Sequence, residues 1–306
     1  MSRPFALVLR NPAAGRAGDP RALSFARREI GVRFDAAEVV LDAGGEWKSA
    51  VSAALHRGVR TFVAAGGDGT VHALLAALVE SCGSEPLEGL TLGIAALGSS
   101  NDFVKPLRPG DSPVPLRLDA AHAALRDLVR VRAVDALGRE VTSLLAVSAS
   151  AGVVAEGNAL FNSARGARRG TGPAIARAAL RAVARHRDFP VRLRHDGRTE
   201  TVALSSLSIL KSPWLSGALR YDLPVSADDG LLGVAVCAGM GKLRLLRTLA
   251  GLLFGRFRGR PGTRSFFTTF IAVSADAPFL LEVDGEVEQV VEASFDLFAR
   301  RIRVCA

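Results

Sequence analysis

The sequence predicts an α/β domain followed by a mainly β domain, and three observations carry that prediction. Over residues 1 to about 130, short apolar runs alternate with helical patterns. From about 131 to 294, strand-like segments follow one another through tight turns. The loops after three of the early apolar runs are polar and contain glycine. A βαβα rhythm gives a parallel sheet flanked by helices, with ligands at the carboxyl ends of the strands.

The first strand, over 5–10, leads into Asn11, Pro12, Ala13, Ala14, Gly15 and Arg16, and a helix is predicted over 20–30. A strand over 38–41 and a helix over 46–56 follow. The apolar run 61–65 meets Gly66, Gly67, Asp68, Gly69 and Thr70 and then a helical pattern over 71–80. A strand over 90–97 ends in Gly98, Ser99, Ser100, Asn101, Asp102 and Phe103, with a further helix expected beyond. In the second domain, strands are predicted over 129–135, 141–150, 191–195, 199–211, 231–237, 266–274, 279–283, 287–292 and 295–298. Asp196-Gly197 and Asp284-Gly285 serve as hairpin turns, and helices lie over 173–187 and 242–254. The last residues, from about 295 to 306, are open to returning to the first domain.

At 306 residues with 49% apolar and 23% charged side chains, the chain has ample core and is not disordered. Cys82, Cys237 and Cys305 form no CxxC pair or zinc spacing, which suits a reducing, cytoplasmic setting. The first apolar run has only five or six residues before Arg10 and reads as a strand, not a signal peptide. The most apolar later stretch, 248–255, is far shorter than the roughly 20 residues of a membrane span, so the expectation is a soluble or peripheral protein. A net charge of +9 and a pI near 10.5 favour anionic partners, although a composition rich in arginine and alanine accounts for part of it.

The turn at 66–70 carries the chemistry. A glycine turn between strand and helix leaves backbone N–H groups and the positive end of a helix dipole facing anionic oxygens. Glycines allow close backbone approach, and Thr70 can cap the helix. Asp68 would repel a phosphate unless a divalent cation lies between them or it handles a proton. Phosphoryl chemistry is the reading that needs both. Asp102 is a second carboxylate candidate, with a helix-start role as its plainer alternative.

The five motifs Asn11-Pro12-Ala13-Ala14-Gly15, Gly66-Gly67-Asp68-Gly69-Thr70, Gly98-Ser99-Ser100-Asn101-Asp102-Phe103, Asp228-Asp229-Gly230-Leu231-Leu232 and Val283-Asp284-Gly285-Glu286 occur in that order. In order and spacing they resemble the diacylglycerol kinase catalytic family and its bacterial soluble lipid kinases, over nearly the whole chain. The resemblance implies an N-terminal domain like that of phosphofructokinases and NAD kinases, a β-rich C-terminal domain, and ATP in the cleft between them. It implies that 11–15 and 67–70 cradle nucleotide, that Ser99 adds a hydroxyl, and that Glu286 is the general base on a lipid hydroxyl. It also implies a structural Mg²⁺ held by Asp229 with the carbonyls of Ser226 and Leu231. The residues alone favour reading Glu286 as a solvated turn carboxylate and Asp228-Asp229-Gly230 as a plain turn. His72, Ser100 and Lys211-Ser212-Pro213 depart from the family pattern, and Leu41-Asp42 lacks its usual threonine.

Arg177, Arg181 and Arg185 share a helix face, with Arg165, Arg168 and Arg169 just before it. The segment 242–264 combines Lys242, Arg244, Arg247, Arg256, Arg258, Arg260 and Arg264 with leucines and phenylalanines and has no acid. Basic and apolar together suit an anionic bilayer surface, at the inner membrane face in a cytoplasmic protein. No nucleic-acid recognition motif or stacking platform is present. An NAD kinase-like enzyme, and a catalytically silent lipid- or nucleotide-binding protein, are the alternatives to a lipid kinase. The sequence leaves open whether copies of the chain associate.

Overall fold

The computed structural model describes residues 3–83, 85–107, 114–164 and 172–306. The chain forms two compact units, residues 1–128 with 298–306 and residues 129–297.

In the first unit, β1 (Phe5–Arg10), α1 (Pro20–Arg33), β2 (Asp35–Val40), α2 (Glu46–His56), β3 (Thr61–Gly66), α3 (Asp68–Cys82) and β4 (Thr91–Ala96) alternate. The strands are parallel in the order β2-β1-β3-β4. β1, β3 and β4 each bury runs of consecutive residues, as strands covered on both faces do. β2 is largely exposed, and its Glu38 pairs with Arg10 and Arg27, a charged guard on the sheet edge. α1 starts at Pro20 with Asp19 as N-cap, its carboxylate accepting from Arg21 N–H at 3.0 Å, and buries Ala22, Ala26 and Ile30 on one stripe.

The loop after β4 departs from expectation. The helix expected there is a single 3₁₀ turn, Asp102–Val104. Asn101 before it sits in the left-handed region (φ +52°), and Pro106 just beyond denies the helix a donor and disfavours helical backbone at Lys105. β5 (Leu116–Arg117) then pairs antiparallel with β4, and the end of the chain returns as a parallel strand with Arg303 opposite Thr91.

β6 (Ala124–Asp135) leads into the second unit, followed by β7 (Glu140–Leu145), β8 (Ser148–Gly152), α4 (Val153–Ala164), α5 (Gly172–Arg185), β9 (Phe189–His195) and β10 (Arg198–Leu210). After the short β11 (Trp214–Leu215) and β12 (Leu219–Arg220) come β13 (Leu232–Ala238), α6 (Lys242–Gly251), β14 (Thr263–Thr268), β15 (Phe270–Val283) and β16 (Glu286–Val304). The pairing is antiparallel, in the order β14-β13-β10-β8-β15-β16, with β9 bonded to both β10 and β15. The β9–β10 and β15–β16 hairpins close on Asp196-Gly197 and Asp284-Gly285, all four residues at positive φ as two-residue hairpin turns require. Val131, Leu193, Leu207, Val234, Ile271 and Phe295 belong to one core of this sheet, while Leu210, Tyr221, Leu245 and Phe257 pack in another with residues of α4, α5 and α6.

Several predicted boundaries shift here. The segment 141–150 is two strands, broken at Ala146-Val147. The segments 287–292 and 295–298 are one strand, β16; 266–274 breaks at Thr269, and its second part continues through an irregular stretch to Phe279 within β15. Helix α4 was not expected, because Gly157 and Asn158 in its middle weaken the local helical signal.

Candidate active site

Three loops at the carboxyl ends of β1, β3 and β4 lock onto one another. Asn11 N–H donates to Ala65 O at 3.0 Å and its Nδ2 donates to Thr70 Oγ1 at 3.1 Å, while its Oδ1 accepts from Ala13 N–H at 2.9 Å. Arg16 N–H donates to Leu97 O, and Leu97 N–H to Gly66 O, each at 2.8 Å. Two glycine positions are dictated by contact. A Cβ on Gly66 would lie 2.1 Å from Thr70 Oγ1, and one on Gly98 would lie 2.4 Å from the Gly67 Cα. The turn before α3 and the turn after β4 therefore touch backbone to backbone. This crevice lies where β1 and β3 send their connections in opposite directions along the sheet, the usual ligand position of such folds.

Asp68 is the first residue of α3, where a carboxylate is favoured by the helix dipole. Its Oδ1 accepts from Phe103 N–H at 2.9 Å, so the carboxylate also fixes the loop after β4. Asn101 Nδ2 donates to Gly98 O at 3.0 Å, and its buried Oδ1 has no hydrogen-bond partner among the described residues. Asp102 is buried and pairs with the Lys105 ammonium at 2.7 Å, both side chains under one-tenth exposed. That pair closes the 3₁₀ turn from inside, where removing one partner costs about 3–5 kcal/mol. Ser99 is exposed on the rim, opposite Gly15.

In the second unit the β15–β16 hairpin presents Glu286, an exposed carboxylate with no ion-pair partner among the described residues. The two acids before it hold the turn. The Asp284 carboxylate accepts backbone N–H bonds from Ala146, Val147 and Ser148 at 2.7, 2.9 and 3.1 Å, which is what breaks the strand there. Glu282 is buried, accepting from Ser150 Oγ and Gly285 N–H, each at 2.6 Å. Burial pushes its carboxyl up to about 7, against the lowering effect of those two hydrogen bonds. The same hairpin borders an open pocket of about 380 Å³ lined mainly by apolar residues, among them Phe189, Pro190, Phe279 and Leu280, with the acids Glu156 and Asp276 also in its wall.

At the Asp228-Asp229-Gly230 turn, Ser226 Oγ donates to Asp228 Oδ1 at 2.5 Å, and Leu231 N–H donates to Asp229 Oδ1 at 3.0 Å. The Lys211 ammonium donates to that same Asp229 oxygen at 3.2 Å and to Leu231 O at 2.9 Å.

The sequence matches the diacylglycerol kinase catalytic domain over residues 5–135 and the YegS C-terminal NAD kinase beta sandwich-like domain over residues 131–306. The chain belongs to the family of the YegS C-terminal NAD kinase beta sandwich-like domain, whose model matches more than half of it, and its first part is similar to the diacylglycerol kinase catalytic domain. An uncharacterized protein of Synechocystis sp. is 25% identical over 294 residues, covering 90% of this chain and 64% of its own length. A protein named "Probable lipid kinase YegS-like" from Alcanivorax borkumensis is 35% identical over 108 residues, covering 33% of this chain and 35% of its own. The chain thus spans less than two thirds of either curated relative. Among solved structures, a diacylglycerol kinase from Bacillus anthracis has 16% identity and a TM-score of 0.67, covering 99% of this chain and 96% of that one. Yeast NADH kinase complexed with NADH has 11% identity and a TM-score of 0.53, covering 100% and 84%. Both structural likenesses concern the fold.

In this family member the residues from Asn11 to Gly15, from Gly66 to Thr70, and Ser99, Asn101 and Asp102 all lie in the three interlocked loops of the first unit, with Asp102 turned inward to Lys105. Ser226, Asp229 and Leu231 lie together in the second unit, and Glu286 lies apart on its hairpin. The two places assigned to Mg²⁺ differ in fit. One carboxylate at a phosphate turn is what Mg²⁺ needs beside phosphates and water, so Asp68 fits a nucleotide-borne ion. Asp229 and Leu231 do not fit an ion, because a lysine ammonium already bonds both. Glu282, Ser150 and the anchoring role of Asp284 went unread in the sequence; the spacing of two acids before Glu286 was the signal available.

Proposed function

We propose that the chain is an ATP-dependent lipid kinase that transfers the γ-phosphoryl group to a hydroxyl of a diacylglycerol-like or sphingoid lipid. The interlocked backbone of Gly66 to Thr70 and Gly98 carries this reading: it forms a phosphate cradle rigid enough to hold a triphosphate in one pose. Phosphoryl transfer asks chiefly for positioning and charge neutralisation. Asn11, Gly67, Gly69 and the N-terminus of α3 would bind the donor's phosphates, and the unpaired Asn101 Oδ1 leaves an acceptor for a donor group of the bound nucleotide. Mg²⁺ bound with ATP would offset phosphate charge, with Asp68 the carboxylate this chain offers it. Glu286 would take the proton of the lipid hydroxyl as its oxygen bonds to the γ-phosphorus and ADP leaves; its exposure leaves it accessible to that hydroxyl. The apolar pocket beside the Glu286 hairpin suits an acyl chain. The exposed Leu243, Leu253 and Phe254 among Lys242, Arg244 and Arg256 suit the anionic surface on which such a lipid lies.

The test replaces the base. Glu286→Gln should lower kcat by about 10²–10⁴-fold, the range for general-base loss, with ATP binding and the melting temperature unchanged. A fully active variant refutes the base assignment. Supplying a total lipid extract, purified diacylglycerol and NAD in parallel, with mass identification of the product, separates the lipid kinase from an NAD kinase and from a silent binding protein.

A further inference from the structure

Lys211 follows β10 and is tied into the second unit by its backbone, its N–H donating to Val147 O at 2.9 Å. Its side chain is 2% exposed and ends at the Asp228-Asp229-Gly230 turn. There a carboxylate oxygen of Asp229 and the carbonyl of Leu231 converge on the ammonium at 3.2 and 2.9 Å, and Gly230 at φ +70° turns the backbone that brings the two oxygens together. A carboxylate and a backbone carbonyl facing one positive centre are the donor types that bind hard divalent cations. Here the positive centre is covalently part of the chain.

We propose that the Lys211 ammonium is a tethered cation that takes the seat of a divalent metal and closes this turn without one. Chemistry at this position favours lysine. The chain has lysine at four positions only, 48, 105, 211 and 242, among 39 basic residues. Arginine is thus the chain's ordinary base, yet a planar guanidinium is too broad for a seat that a compact ammonium fills. A divalent ion brought to the same oxygens would meet the ammonium within bonding distance of both, and buried like charges at that range repel strongly. The turn is therefore set by the sequence and not by the free metal concentration. This holds whether or not the chain phosphorylates a lipid, since stability is the readout.

The experiment is thermal unfolding of the nucleotide-free chain in EDTA, in millimolar MgCl₂ and in millimolar CaCl₂, for wild type, Lys211→Asn and the double variant Lys211→Asn/Asp229→Asn. The wild-type midpoint should be the same in all three. Lys211→Asn should unfold about 3–8 °C lower in EDTA, up to the size of a broken buried pair in a chain of this length, since Lys211 is buried and Asp229 partly exposed. Divalent cation should restore part of that loss, and the double variant should show no restoration. A wild-type midpoint that rises with divalent cation as the single variant's does overturns the proposal. So does a Lys211→Asn chain that no cation restores. Should that variant fail to fold, calorimetric titration of wild type with CaCl₂ decides instead: no heat of site binding is expected, and a stoichiometric site lost in Asp229→Asn overturns the inference.

Discussion

Glu282 shows how one buried acid couples the Glu286 hairpin to pH. Its carboxyl is raised from an ordinary 4.5 to about 7, chiefly by burial. A raised folded-state value means that the folded chain holds this proton more tightly than the unfolded one. The stabilisation is full below about pH 4.5 and is lost as pH rises toward 7, by about 3 kcal/mol at 1.36 kcal/mol per unit. Glu282→Gln keeps an acceptor for the Gly285 N–H, turns an amide donor to the Ser150 hydroxyl, which can accept, and cannot ionise, so it should flatten that part of the stability profile. Urea unfolding of both proteins between pH 4.5 and 7.5 checks it, and parallel profiles would refute it. Asp68 and Asn11 were legible from the sequence because glycine and asparagine beside a strand end have few other uses. Glu282 and Asp284 were not. A lone acid between Leu281 and Val283 reads as an outward-facing strand position, and only the partner N–H groups of 146–148, far off in sequence, reveal what Asp284 does.

At the scale of elements, the three loops after β1, β3 and β4 are held by contacts between turns, so a change that leaves each turn's chemistry intact can still unlock them. Gly98→Ala is the sharp case. Its methyl would meet the Gly67 Cα, which is backbone and cannot rotate away. We expect a loss of about 1–3 kcal/mol of stability, typical of overpacking, together with weaker ATP binding. Chemical unfolding and nucleotide calorimetry measure the two, and an unperturbed variant would show that the loops move independently. The βαβα half was readable because β1, β3 and β4 are continuous apolar runs and α1 carries a cap and a stripe, with Asp19, Pro20 and the Ala22, Ala26, Ile30 face. The expected helix at Asp102 failed against Pro106. In the second unit the turns Asp196-Gly197 and Asp284-Gly285 were readable because their backbone demands those residues. Strand lengths were not, since β15 and β16 run through positions where local propensity falls and are held by their neighbours.

For the molecule as a whole, charge and exposed apolar surface carry the membrane-docking prediction. No helix among the described residues is long and apolar enough to cross a membrane. On α6 and the turn after it, Leu243, Leu253 and Phe254 are 62%, 56% and 75% exposed beside exposed basic residues. Arg177, Arg181 and Arg185 are exposed on α5, whereas Arg165, Arg168 and Arg169 lie outside the described residues. Arg260 is different, since its guanidinium holds the carbonyls of Arg256 and Arg247 and belongs to the turn itself. Charge reversal at Arg244, Arg247 and Arg256 should therefore weaken sedimentation with phosphatidylserine vesicles at least about tenfold, at roughly 1 kcal/mol per basic residue near an anionic surface, without unfolding the chain; Lys242, whose ammonium donates to Ala184 O, is left in place. Unchanged partitioning would remove membrane docking from this face.

The return of the chain to β4 has a consequence for biogenesis. Arg303 pairs beside Thr91 and donates from its side chain to Glu88 O, a contact between residues 215 positions apart. During translation at about 5–20 residues per second, that edge of the first unit's sheet leaves the ribosome many seconds before the last strand exists, with only the two-residue β5 to pair with β4 meanwhile. The whole second unit is synthesised in that interval. The nascent chain thus carries a partly unpaired strand edge throughout the synthesis of the second unit, and a truncation before Arg303 leaves the first unit's sheet without the strand that completes it.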